Sequence, residues 1–201
     1  MPVEFKEEIS NIFRLKVPFE KIYTSVFLIK TEEGAVLVDC ATTPSDVDDF
    51  IVPCLEELGY RLGDIKSIVL THKHGDHAGG LGRILELAPN IEVVRQADWS
   101  FGEIFTCPMI GHTKDSIGIF DRRTNTLLSG DGLQGAGVDV YRCYTQEPDE
   151  YIKTVERLIE DTRIENILFS HAYEPWNSEY AIGRDAVEHC LIECKKYVKG
   201  K

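Results

Sequence analysis

Four side chains able to hold a metal ion fall within six residues: His72, His74, Asp76 and His77, in the run Thr71-His72-Lys73-His74-Gly75-Asp76-His77. The apolar run Ile68-Val69-Leu70 precedes them and reads as a buried strand, so the donors begin where that strand ends. In extended chain, residues two apart face the same way, which lets His72 and His74 converge on one ion. Gly75 permits a sharp turn, after which Asp76 and His77 return toward the same space from a helix start. Asp76 at that point is also a candidate helix N-cap. Four donors from so short a loop exceed what one tetrahedral site takes. Two adjacent ions are the natural reading.

A dinuclear centre needs donors from elsewhere. Three polar residues each follow an apolar run: His112 after Met109-Ile110-Gly111, Asp131 after Leu127-Leu128-Ser129-Gly130, and His171 after Ile167-Leu168-Phe169-Ser170. Taken alone, His112 or His171 reads as readily as a surface histidine, and Asp131 between glycines reads as a turn former. As a set they fit one task. Of the six histidines only His189 lies mid-helix, and it reads as a surface residue. Two cations about 3.5–4 Å apart can share a water and bring its pKa from about 15.7 toward neutrality. The hydroxide so formed attacks a carbonyl or phosphoryl centre, so no serine or cysteine nucleophile is required. Asp76 and Asp131 are the candidate catalytic carboxylates, Asp76 as a ligand that also steers the water or accepts its proton.

The surrounding elements must bring these residues together. Apolar, β-branched runs predict strands around Ile12–Val17, Tyr23–Lys30, Ala35–Asp39, Ser67–Thr71, Ile91–Arg95, Ile117–Asp121, Thr126–Ser129 and Ile167–Ser170, with Glu33-Gly34 as a hairpin turn. Helical patterns cover Asp46–Leu58 (capped by Ser45 and stopped by Gly59), His77–Leu87, about Pro148–Asp161 and about Tyr180–Val198. Many strands with few helices predict two sheets with helices packed outside them.

Composition sets the class. The 201 residues are 43% hydrophobic and 28% charged, which fits one globular domain over residues 1–201. No apolar run approaches the roughly 20 residues of a membrane span. The N-terminus carries acids where a secretory signal carries bases, so a soluble, cytoplasmic protein is expected. A net charge of −12 works against binding nucleic acid or an anionic membrane, and leaves a small molecule as the expected substrate. The six cysteines contain no C-x-x-C and read as scattered thiols. Oligomeric state and natural substrate are not legible.

The order H-x-H-x-D-H, then G-H-T, then S-G-D, then S-H resembles the metallo-β-lactamase superfamily, from Val38-Asp39 to His171. The resemblance implies an α+β fold, a four-layer αββα sandwich of two mixed sheets with helices on the outer faces. It also implies that His72, His74 and His112 hold a first metal, that Asp76, His77 and His171 hold a second, and that Asp131 bridges them. Asp39 matches an aspartate that supports the ligands, a role that carboxylates commonly take toward metal-bound histidines. The ions are expected to be two divalent cations, zinc first, with iron or manganese as alternatives. The complete histidine-aspartate set looks more like that of glyoxalase II and the acyl-homoserine lactonases than that of the β-lactamases with a cysteine in the second site. Only about 30 residues follow His171, short of the helical region with which glyoxalase II grips glutathione. Where the family often has G-H-T-P-G, this chain has Gly111-His112-Thr113-Lys114-Asp115, which alters the turn beyond the ligand.

The expected activity is hydrolysis of a small ester, thioester or lactone. The alternatives are an iron-dependent oxidoreductase of the same fold (persulfide dioxygenase-like or a diiron module), a phosphodiesterase, and a non-enzymatic metal-binding scaffold. Tyr141, Arg142, Tyr144, Tyr173 and Trp176 are the candidate pocket residues, with Trp99, Phe101 and Phe105 as further aromatics. Any of these aromatics reads equally as core.

Overall fold

The computed structural model describes residues 3–135, 145–172 and 178–199. The chain forms two compact units, Met1–Arg95 and Gln96–Lys201, each built on one mixed sheet of six strands.

In the first unit, β1 (Lys6–Ile9), β2 (Ile12–Phe19), β3 (Ile22–Thr31), β4 (Gly34–Val38), β5 (Ile65–Val69) and β6 (Glu92–Val94) lie side by side in chain order. The first four are antiparallel, joined by short turns, and β4, β5 and β6 are parallel. Parallel neighbours need crossovers, and helices supply them. Between β4 and β5 run α1 (Pro44–Asp46), a π turn (Val47–Ile51) and α2 (Val52–Glu57). Between β5 and β6 run α3 (Gly75–Ala78) and α4 (Leu81–Leu87). Leu15, Val26, Leu28, Leu37 and Ile68 of the strands pack with Ile51, Leu55 and Ile84 of the helices in one core.

Two helix expectations are corrected here. The first helix is capped by Thr43 rather than Ser45: the Thr43 hydroxyl accepts from Asp46 N at 3.2 Å, and Asp46 Oδ2 accepts from Thr43 N at 2.8 Å. Pro44 takes the first helical position, where its missing N–H costs nothing. The expected helix over His77–Leu87 is two helices broken at Gly79-Gly80. There the backbone carbonyls of Thr42 and Cys40 press so close that a Cβ on either glycine would collide with them.

In the second unit the sheet order is β12-β11-β10-β9-β8-β7, with β7 (Ser100–Phe101), β8 (Ile104–Pro108), β9 (Ile117–Asp121), β10 (Thr126–Leu128), β11 (Asn166–Leu168) and β12 (Tyr180–Ile182). All neighbours are antiparallel except β10 and β11, which are parallel and joined through α5 (Pro148–Glu160). Tyr151, Val155 and Leu158 of α5 share a core with Val187, Leu191 and Cys194 of α6 (Arg184–Lys199) and with Leu127, Ile167 and Phe169. The helix expected from Tyr180 starts instead at Arg184. Residues Tyr180–Ile182 pair with β11 as an edge strand, and Gly183 turns the chain at φ 86° before the helix begins. Strands β1, β7, β8 and β12 carry too short or too mixed a pattern to be read from periodicity.

Two mixed six-stranded sheets with helices are the α+β sandwich class implied by the motif order. Among the described residues, no helix is long and apolar enough to cross a membrane.

Candidate metal centre

In the first unit the donors sit where β5 ends. Val38 of β4 lies opposite Val69 of the parallel β5, so Asp39 and Thr71 leave the sheet as neighbours. Asp39 adopts a left-handed backbone at φ 61°, uncommon for a non-glycine residue, while its N–H still bonds Val69 O at 2.9 Å. This turn drives its carboxylate back over the next strand. Asp39 Oδ1 accepts from Thr71 N at 2.8 Å, and Oδ2 accepts from the Thr71 hydroxyl at 2.9 Å and from His77 Nδ1 at 2.7 Å.

The network assigns the tautomers. The single Thr71 hydroxyl proton is committed to Asp39, so toward His72 Nδ1, 3.1 Å away, Thr71 Oγ1 can only accept. The proton on His72 therefore sits on Nδ1, and so does that on His77. Both rings are left with a lone pair on Nε2, the form a metal ligand needs. His72 Nε2 lies 3.0 Å from His74 Nδ1, and His77 Nε2 lies 3.4 Å from Asp76 Oδ2. His72 and His77 are buried, while His74 and Asp76 are half-buried. His74 is the N-cap residue of α3 and Asp76 lies in its first turn, so the expectation of Asp76 as the cap is corrected. Two bonds fix this loop in its unit, from Thr24 Oγ1 to Asp76 O (2.9 Å) and from Cys40 N to His77 O (2.8 Å). Burial, and then the Asp39 charge, push the Cys40 thiol far above its ordinary range, so it stays a neutral neighbour.

In the second unit, strand register does the work of a motif. Leu128 pairs with Leu168 across the parallel β10–β11 ladder, and Asp131 and His171 each lie three residues beyond it. Their side chains meet, Asp131 Oδ1 to His171 Nε2, at 3.2 Å. Antiparallel β9 begins at the same end of the sheet, so the β8–β9 loop brings His112 Nε2 within 3.6 Å of Asp131 Oδ2. All three residues are buried. One carboxylate thus turns a different oxygen toward each of two imidazoles.

Helix α5 holds the His112 loop along its length. Thr154 donates to Ile110 O at 2.8 Å, Glu147 N donates to Gly111 O at 3.0 Å, and Arg157 donates to Pro108 O. Gly111 lies against the Tyr151 ring, and a Cβ there would strike it. Sequence reasoning missed this clamp; its available signal was the polar and aromatic row Tyr151, Thr154, Arg157 at helical spacing. In place of a proline-glycine turn after His112, Ser116 closes the loop, its Oγ accepting from Thr113 N at 3.2 Å and lying 2.7 Å from the Thr113 hydroxyl.

Two donors bound tetrahedrally at zinc distances of about 2.0–2.1 Å stand about 3.3 Å apart. The pairs above, at 3.0, 3.2, 3.4 and 3.6 Å, bracket that spacing. The bare Nε2 of His72 faces His74 Nδ1 at 3.0 Å, a spacing that a shared proton or a shared cation would bridge. Each unit carries histidine and aspartate able to hold metal ions. His189 is exposed and stands apart from these groups. Of the candidate pocket residues, Tyr141, Arg142, Tyr144, Tyr173 and Trp176 lie outside the described residues. Trp99 and Phe101 stack on each other at 6.3 Å on and beside the short edge strand β7.

Residues 21–105 match the profile of the metallo-β-lactamase superfamily. The chain is similar in fold to a metallo-β-lactamase from Pontibacter korlensis, with a TM-score of 0.75, 15% identity and all of both chains covered. It is also similar to the metallo-β-lactamase FIM-1 from Pseudomonas aeruginosa in its mono-zinc form, with a TM-score of 0.74, 15% identity, 98% of this chain and 97% of that one covered. In sequence, it is 28% identical to a hydroxyacylglutathione hydrolase of Vibrio campbellii over 67% of this chain and 63% of that protein. The matches to curated relatives such as this one span between 42% and 63% of those proteins' own length. Profile and motif order agree in likening the chain to the metallo-β-lactamase superfamily, by profile over residues 21–105, and the chain shares the fold of solved metallo-β-lactamases.

Proposed function

We propose that the protein is a dinuclear metal-dependent hydrolase of a small ester, thioester or lactone. In this reading His72, His74 and His112 would hold one ion and Asp76, His77 and His171 the other, with Asp131 shared between the two sets. The observation that carries it is the Asp131 carboxylate, one oxygen toward His112 and the other toward His171. A carboxylate so placed is matched to two cations rather than one. Nitrogen and carboxylate donors suit zinc, and they also accept iron or manganese.

Bound divalent ions would supply Lewis-acid polarisation of a substrate oxygen and a water acidified toward neutral pH. The chain's own residues do the rest. Asp39 and Thr71 fix the tautomers of His77 and His72 and hold both rings against rotation. Asp76, half-buried beside His77, would take up a proton during attack. Buried His112, His171 and Asp131 keep bulk water from competing for the donors. The similarity to a hydroxyacylglutathione hydrolase supports a thioester or ester carbonyl as the reacting group.

The test is elemental analysis of protein purified without added metal, followed by assay on esters, thioesters, lactones and phosphodiesters. About two ions per chain, mostly zinc, and carbonyl-ester turnover are expected. Iron with a visible absorption band would move the protein to the oxidoreductases, and a metal-loaded protein inert on the whole panel would leave a scaffold.

A further inference from the structure

A cleft of about 360 Å³ opens on the second unit's sheet, lined by none of the metal-type donors. Its floor is a row across three strands, for Phe105 of β8 pairs with Phe120 of β9, and Phe120 pairs with Leu127 of β10. Leu158 and Ile164 close one side. The two phenylalanines stay partly exposed in the cleft, although Phe120 also packs against the core that α5 and α6 share.

Over this apolar floor stand Arg122, Arg157 and Arg163. The Arg122 guanidinium lies 4.5 Å from the centre of the Phe105 ring, and that of Arg163 lies 5.9 Å from the Phe120 ring. Arg163 is paired with Asp161 at 2.7 Å, and Arg122 is loosely paired with Glu103 at 3.6 Å. Arg157 donates its hydrogen bond to the neutral carbonyl of Pro108, and shares with Arg163 the charge of Asp161, which also lines the cleft. Three guanidinium groups thus face two carboxylates around an apolar slot, in a chain whose net charge is −12. Local positive charge against that background, beside a flat hydrophobic floor, favours a ligand that is anionic at one end and apolar at the other.

We propose that this cleft binds a small amphipathic anion, an aryl or acyl carboxylate or sulfonate, with its apolar body on Phe105, Phe120 and Leu127 and its charged group among Arg122 and Arg157. The proposal stands whether or not the metal centre is a hydrolase.

Titration of the full metal-loaded protein with 8-anilinonaphthalene-1-sulfonate, followed by fluorescence, tests it. Saturable binding is expected, displaced by octanoate and not by octyltrimethylammonium. The variant Arg122→Glu should weaken that binding about tenfold, the size of one lost charge-assisted contact. Lys153→Glu makes the same change in net charge on the exposed side of α5 and should leave binding unchanged. Equal weakening by both variants would reduce the effect to overall charge and overturn the proposal. Absence of saturable binding, or a dimer in solution that Arg122→Glu splits, would overturn it too, the latter by giving the cleft to a second copy of the chain.

Discussion

The two units supply metal-type donors by opposite means. In the first, four donors come from six consecutive residues, and their geometry is local: a strand end, a glycine, one turn of helix. In the second, three donors are spread over 60 residues and meet because of strand order and register. Asp131 and His171 touch because β10 and β11 are parallel, in register, and equally long to the ligand. The local set therefore depends on its supporting hydrogen bonds, above all Asp39. The dispersed set depends on the sheet, and on α5 gripping the one loop that the sheet does not fix.

The largest effect that could break this comparison is at Asp131. If the local loop alone retained metal, Asp131→Ala would leave the ion content unchanged. We expect it instead to release both ions on gel filtration and to abolish turnover, because one side chain serves both imidazoles of its unit. Next comes Asp39→Ala, which touches no substrate. It orphans the Thr71 N–H and hydroxyl and the His77 Nδ1 proton, all buried. Metal affinity measured by chelator competition should fall about 10- to 100-fold, and denaturant stability by about 2–4 kcal/mol. Unchanged affinity with lost stability would make Asp39 purely structural.

Thr154→Val sharpens the dispersed side. It keeps shape and removes the bond to Ile110 O, two residues before His112. A loss of about 1 kcal/mol is expected, with a small drop in metal affinity that Thr154→Ser restores. The smallest effect is at His189→Ala, where an exposed side chain that belongs to neither donor group should leave metal content and thermal midpoint unchanged.

The contrast also explains what could be read beforehand. The His72–His77 loop was legible as chemistry because its donors are close in sequence, and β3 because its apolar run announces a buried strand. The helix breaks were not legible: nothing in Gly79-Gly80 says that Thr42 and Cys40 will lie against it. Nor does Tyr180-Ala181-Ile182 state that an edge position beside β11 awaits it. Taken singly, His112, Asp131 and His171 stayed ambiguous, and only the order of motifs tied them together.

By itself, then, the amino-acid string determined the donor chemistry, the helix–strand alphabet and the likeness to a superfamily, since these follow from residue type and spacing along one chain. Tertiary structure alone decided which oxygen of Asp131 faces which histidine, which nitrogen of His72 and His77 is left bare, and where arginines gather over a partly exposed row of aromatics. Each of these is a matter of a few tenths of an ångström between segments far apart in sequence. Local preference carries no information about such distances until pairing and packing have set them.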